Sequence, residues 1–284
     1  MFSYTSLRGV KGFVSFVDIL RVEAKFMYGD IVRRRSLFLA ILAYPYILTI
    51  FVLLIGSSIG SPVFFEEKVC LTPTVYLVTN GFILMSMLSV IDDILWRPIL
   101  DEYTGTIAYV LSSPTSRLKH YLAIPIPRLI LVLLSGFTSI VPVFIYYYGY
   151  DGFIEASIVL LMTLLASTSA IPLVMILVGV VYGLGGGIWR IVNIVRPILL
   201  MLTGVYYPRR FMPLIGQMIC YAIPQSHIVE AIHLLLSAQY LGSAAIDIVS
   251  LIGVATILVI VYSPLSYRSM RFWEYSRVKE GVKT

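Results

Sequence analysis

The sequence predicts an all-α polytopic membrane protein with six transmembrane helices. Hydrophobic residues make up 59% of the 284 positions and charged residues only 13%. Mean hydropathy is +0.92. A soluble surface needs more charge than that, and a soluble core rarely needs so much apolar residue. The arrangement is equally telling, because runs 36–65, 69–91, 129–150, 156–189 and 248–267 carry no charge at all. Each reaches the roughly 20 residues a helix needs to cross about 30 Å of hydrocarbon. A sixth, weaker span covers about 188–207, with Arg196 inside it.

Ahead of the first span, residues 13–31 place Phe13, Phe16, Val17, Leu20, Ala24, Met27 and Ile31 at three- and four-residue steps. Asp18, Arg21 and Lys25 fall on another face. This pattern predicts an amphipathic helix lying along the membrane interface, ending at the basic triplet Arg33–Arg35. Charges at Arg8, Lys11, Asp18, Arg21, Glu23 and Lys25 interrupt the region, so it does not read as a cleavable signal peptide.

Orientation follows from the basic residues. With both termini cytoplasmic, 18 of the 21 Lys and Arg residues fall inside, leaving Lys68, Arg209 and Arg210 outside. The formal charge of +6 is therefore a topology signal, and no nucleic-acid surface is implied. The domain plan is a cytoplasmic N-terminus (1–36), a six-span domain (37–267) and a basic cytoplasmic tail (268–284).

Between the second and third spans lies a charged island, residues 92–119. Pro98 suits a first helical turn, and Ile99, Ile107, Val110 and Leu111 offer an apolar face. Ser112-Ser113-Pro114 stops the helix, since a residue before proline disfavours the α conformation. The expectation is a short cytoplasmic helix over about 98–111. Asp92, Asp93, Asp101 and Glu102 read as solvated loop acids. A Mg²⁺–pyrophosphate site would need a second acidic cluster on the same side, and Asp151, Glu155 and Asp247 fall on the other.

The run 211–229 is also charge-free but is bracketed by Pro213 and Pro224. Two half-helices dipping into the outer leaflet, over about 208–230, suit those prolines better than one continuous span. A full span there stays open as the alternative. Gly183 to Gly187 is glycine-rich but is followed by no Lys-Ser or Lys-Thr, so it reads as a cytoplasmic turn and not a phosphate loop. His227 and His233 stand six apart, off the i, i+4 spacing of a zinc pair, and no metal site is expected. Cys70 and Cys220 both map outside, as two lone apolar residues or as a disulfide. Phe144, Tyr146, Tyr147, Tyr148 and Tyr150 read as an interfacial aromatic belt, or alternatively as a stacking surface.

Two stretches resemble the type-2 permeases of ABC exporters. The first is Glu102, Gly105-Thr106-Ile107, Val110-Leu111 and Ser113-Pro114, followed by Arg117. The second is Thr203-Gly204-Val205-Tyr206-Tyr207-Pro208, then Pro213, Pro224, His227 and Glu230-Ala231. Ala108 stands where that family often has an acid, and His233 where it commonly has a basic residue. The resemblance implies a coupling helix that seats in a cytoplasmic ATPase subunit through Asp101, Glu102, Gly105, Thr106, Ile107, Ser113, Pro114 and Arg117. It implies an outer gate at Gly204, Tyr206, Tyr207, Pro208, Pro213, Pro224, His227 and Glu230. It also implies a plasma-membrane dimer of two copies embedded in lipid. No cofactor is expected on this chain, with ATP and Mg²⁺ used by the partner. Two other classes stay open: an intramembrane Mg²⁺-dependent lipid- or prenyl-modifying enzyme, and a non-transporting membrane scaffold.

Overall fold

The computed structural model describes residues 15–33, eleven positions between 35 and 54, 72–113, 115–184, 188–237 and 241–280. Among the described residues the chain is helical throughout, without strands. Four helices are long and apolar enough to cross a membrane, five if one bent pair counts as a single span. The chain is a multi-pass helical membrane protein. Most of the expected first span, 36–65, lies outside the described residues, as do Lys68 and Cys70.

Helix α1 (Phe16–Arg33) is the amphipathic segment. Its inward face differs from the one the periodicity suggests: Ile19 and Glu23 are buried, whereas Val17 and Ala24 are exposed. A carboxylate sits where an apolar residue would be expected, because a basic partner meets it there.

Helix α2 (Pro73–Tyr103) opens with proline at its first turn, where the missing N–H costs nothing. At about 1.5 Å per residue its 31 residues outreach the hydrocarbon layer by roughly ten residues. The excess is the stretch that carries Asp92, Asp93, Arg97 and Asp101. Pro98 therefore lies inside this helix and does not begin a new one. The expected single helix over 98–111 is instead the end of α2, a turn at 104–106, and the short α3 (Ile107–Ser112). Gly105 makes the break, with φ of +69°, a left-handed conformation that glycine adopts without steric cost.

A seven-residue helix α4 (Arg117–Ala123) leads into α5 (Pro125–Tyr148), and α6 (Asp151–Leu184) returns across the domain. Helix α6 is the central post, packing on α2, on α5 and on the later helices Pro224–Ser237 and Leu241–Glu280. Small residues Ala156, Ala166 and Ala170 are fully buried along it. In a membrane such residues let helix backbones approach closely.

Helix α7 (Ile188–Leu202) has only 15 residues, too short to cross alone. A turn at Gly204 (φ +86°) and a 3-10 turn at Arg209–Phe211 follow. Helices α8 (Leu214–Tyr221) and α9 (Pro224–Ser237) then meet at 106°. Helix α10 (Leu241–Glu280) runs 40 residues. The Tyr262 hydroxyl donates to the Ala222 carbonyl at 2.7 Å, which pins the α8–α9 bend beside the middle of α10. The Cys220 thiol donates to the Leu202 carbonyl, so α7 also ends beside that bend.

The tail expected at 268–284 continues α10 as far as Glu280. There Trp273 is buried and meets Tyr121 of α4 edge-on at 6.0 Å. Higher up, a Cβ added to Gly179 would run into the backbone of Ser269, and one added to Gly183 into the Phe272 ring. Glycine is what allows α6 and α10 to touch at both levels. The rest of the glycine-rich stretch, 185–187, lies outside the described residues.

Candidate functional site

At one end of the bundle, ionic contacts draw four helices together around the overhang of α2. Arg97 makes a two-point contact with Glu23 of α1, its Nη2 3.2 Å from Oε1. Its Nε lies 3.4 Å from Asp101 Oδ1 one turn on, and its guanidinium stacks 5.5 Å from the Phe26 ring centre. Thr106 donates to the same Asp101 oxygen at 2.9 Å. The chain leaving α2 is thus tied back to it across the Gly105 turn. His120 of α4 brings its Nδ1 to 4.0 Å from Glu23. Burial pushes the Glu23 carboxyl above its ordinary range, and the Arg97 charge works in the opposite direction.

Two further pairs lie one to two turns deeper. Arg128 of α5 pairs with Asp93, and Arg196 of α7 lies 3.0 Å from Asp92. The reading of Asp92, Asp93 and Asp101 as solvated loop acids is therefore corrected, and of the four only Glu102 is exposed. Asp92 and Asp93 end an apolar run inside a helix bundle, where an ionised carboxylate requires a cationic partner. Among the described residues no group of three or more His, Cys, Asp or Glu is placed to hold a metal ion.

Beyond this ionic collar the island is exposed. Glu102, Thr104, Gly105, Thr106 and Ala108 all face outward, and Tyr103 and Tyr109 are 87% and 77% exposed. Ile107 is buried and anchors α3 to the bundle. Ser113 ends α3, its hydroxyl accepting from the Thr115 N–H. Pro114 and the Arg117 side chain lie outside the described residues.

The expected outer-gate residues separate into two groups. Pro208, Pro224 and His227 are buried near the bend, with Glu230 half-buried one turn further along α9. Tyr206 and Pro213 are exposed, and Gly204 serves the turn after α7. His227 contacts the Tyr221 carbonyl through Nε2 at 3.0 Å. His233 is buried with Nε2 2.9 Å from Asn80 Oδ1 of α2, and its ring lies 5.1 Å from that of Tyr76. Arg209, counted by charge alone as an outer-loop residue, is 7% exposed.

Cys220 is a buried free thiol. Of the expected aromatic belt, Tyr146, Tyr147 and Tyr150 are exposed. Phe144 is fully buried with Tyr148 against it, so it belongs to the core.

Periodicity missed Glu23, Arg97, Arg128 and Arg196 as a set. The available signal was the i, i+4 spacing of Arg97 and Asp101, and acids standing at the end of a long apolar run. No family model, no curated protein and no solved structure matches this chain.

Proposed function

We propose that this chain is the membrane-spanning permease subunit of an ATP-driven ABC exporter, working as a dimer with a separate cytoplasmic ATPase subunit. One observation carries the reading. The α2 overhang ends in an exposed, glycine-hinged knob, residues 102–112, whose root is braced by Arg97, Glu23, Asp101 and Thr106. An exposed surface with two outward tyrosines, mounted on a stiff extension of a spanning helix, suits a docking element that passes on a partner's movement as a rigid-body shift.

In this reading the collar end faces the cytoplasm of a plasma membrane and both termini lie there. Six crossings arise from 36–65, from α2, α5, α6 and α10, and from the broken passage of α7 through α9. The bent α8–α9 pair, reaching half-depth beside α10, forms the outer gate as a re-entrant element. The partner supplies ATP and Mg²⁺ chemistry, and a second copy completes the pathway.

The enzyme alternative draws less support. Asp92, Asp93 and Asp101 already face Arg196, Arg128 and Arg97, which leaves little carboxylate charge for Mg²⁺. The test is co-purification of the tagged chain with a Walker-motif ATPase, repeated with Glu102→Arg. Loss of the partner from a variant that still inserts into the membrane supports docking through the knob. Equal recovery from wild type and variant removes it.

A further inference from the structure

Arg209 poses a charge problem that the described residues do not solve. Its side chain is buried, yet its contacts are a hydroxyl and a ring: Nη2 lies 3.1 Å from Ser226 Oγ, and the guanidinium sits 4.8 Å from the Tyr221 ring centre. Among the described residues no carboxylate pairs with it, and Nε has no hydrogen-bond partner. A desolvated, unpaired guanidinium is costly, and a ring face offsets only part of that cost.

The surroundings worsen the imbalance. Ser226 stands in the first turn of α9, so the guanidinium points at the positive end of a 14-residue helix. Gln225, which precedes Ser226 in the same turn, is fully buried, and among the described residues neither of its amide atoms is hydrogen-bonded and His227 Nδ1 also lacks a partner. Because Ala222 is tied to Tyr262, this helix start lies beside the middle of α10, well below either end of the bundle. An interrupted helix whose amino end opens at mid-depth is a known way for membrane proteins to receive anionic groups.

We propose that Arg209 and the first turn of α9, with Ser226, Gln225 and His227, form a binding site for an oxyanion, a phosphate or carboxylate group, within the membrane domain. The guanidinium fork supplies charge and two-point geometry, and the helix terminus supplies oriented dipoles. The site does not depend on the permease reading. The oxyanion belongs either to a lipid headgroup or to a small free anion, and the chemistry of the site is the same for both.

The test uses the full chain in neutral detergent and follows thermal unfolding against inorganic phosphate, short-chain phosphatidylglycerol and, as control, short-chain phosphatidylcholine. The expected result is a rise in midpoint with phosphatidylglycerol and none with phosphatidylcholine. A rise with phosphate as well identifies a free-anion site, whereas phosphatidylglycerol alone identifies a headgroup site. Arg209→Gln should abolish the rise, and Arg209→Lys, which keeps charge but loses the fork, should weaken apparent affinity roughly tenfold. Should Arg209→Gln fail to fold, Ser226→Ala and native mass spectrometry of wild type decide the matter. Absence of a phosphatidylglycerol or phosphate effect on wild type overturns the proposal. So does an undiminished effect in Arg209→Gln, or, where that variant does not fold, in both Arg209→Lys and Ser226→Ala.

Discussion

Arg97 of α2 and Glu23 of α1 are joined by two contacts, the closer at 3.2 Å, across 74 positions of sequence. That pair fixes the interfacial helix to the root of the exposed knob. The Glu23 side chain is 8% exposed and the Arg97 side chain 17%, so the arginine offsets much of the cost of burying the carboxylate, while Arg97 itself also keeps Asp101 as a partner.

Removing only the arginine should therefore hurt more than neutralising the acid. Arg97→Ala is expected to destabilise the chain by about 3 kcal/mol, because it strands a buried carboxylate. Glu23→Gln should be close to neutral. The Glu23 carboxyl is raised above 4.5, so the folded state holds its proton more tightly than the unfolded state does. Stability from this group is full below that value and declines as pH rises through the raised pKa. Unfolding midpoints taken across that window should show wild type losing ground to Glu23→Gln as pH increases. A constant gap would contradict the assignment.

Asp93 and Arg128 make a second, independent bolt between α2 and α5. Arg128→Ala should cost about 3 kcal/mol, and adding Asp93→Asn should recover much of it, since the stranded charge is then gone. Denaturant titration of wild type, the two single variants and the double variant measures the coupling. Simple additivity of the two single effects would show that the pair is not coupled.

Gly179 tests the contact between α6 and α10. A side chain there meets the Ser269 backbone, whose own hydroxyl donates to the Ile176 carbonyl at 2.7 Å. Gly179→Val should destabilise by about 2 kcal/mol through overpacking. The Ser269→Ala variant leaves the backbone in place and should cost less, about 0.6 kcal/mol. A well-folded Gly179→Val with an unchanged midpoint would mean that α6 and α10 do not approach as closely as described.

The helical class and the location of α2, α5, α6 and α10 were legible because charge-free runs report the membrane directly. Their ends were not. Pro98 looked like a helix start, yet α2 runs on past it to Tyr103. The break comes at Gly105, whose φ a sequence pattern does not display. Asp92 and Asp93 were misplaced for a common reason: a charge is read as solvated unless its partner is near in sequence, and Arg128 and Arg196 are not. The exposed knob around Glu102 and Gly105 was legible as an island, because polar residues between apolar runs must leave the bilayer.

The permease reading stands or falls on whether the knob communicates with an ATPase. The decisive measurement is Mg²⁺-dependent ATP hydrolysis and transport in proteoliposomes holding this chain with its partner ATPase, comparing wild type with Gly105→Pro. Proline forbids the positive φ of that turn and should misdirect α3 without disturbing the spans. The expected result is normal membrane insertion, hydrolysis no longer stimulated by the chain, and lost transport. Hydrolysis and transport at wild-type rates in Gly105→Pro would contradict it.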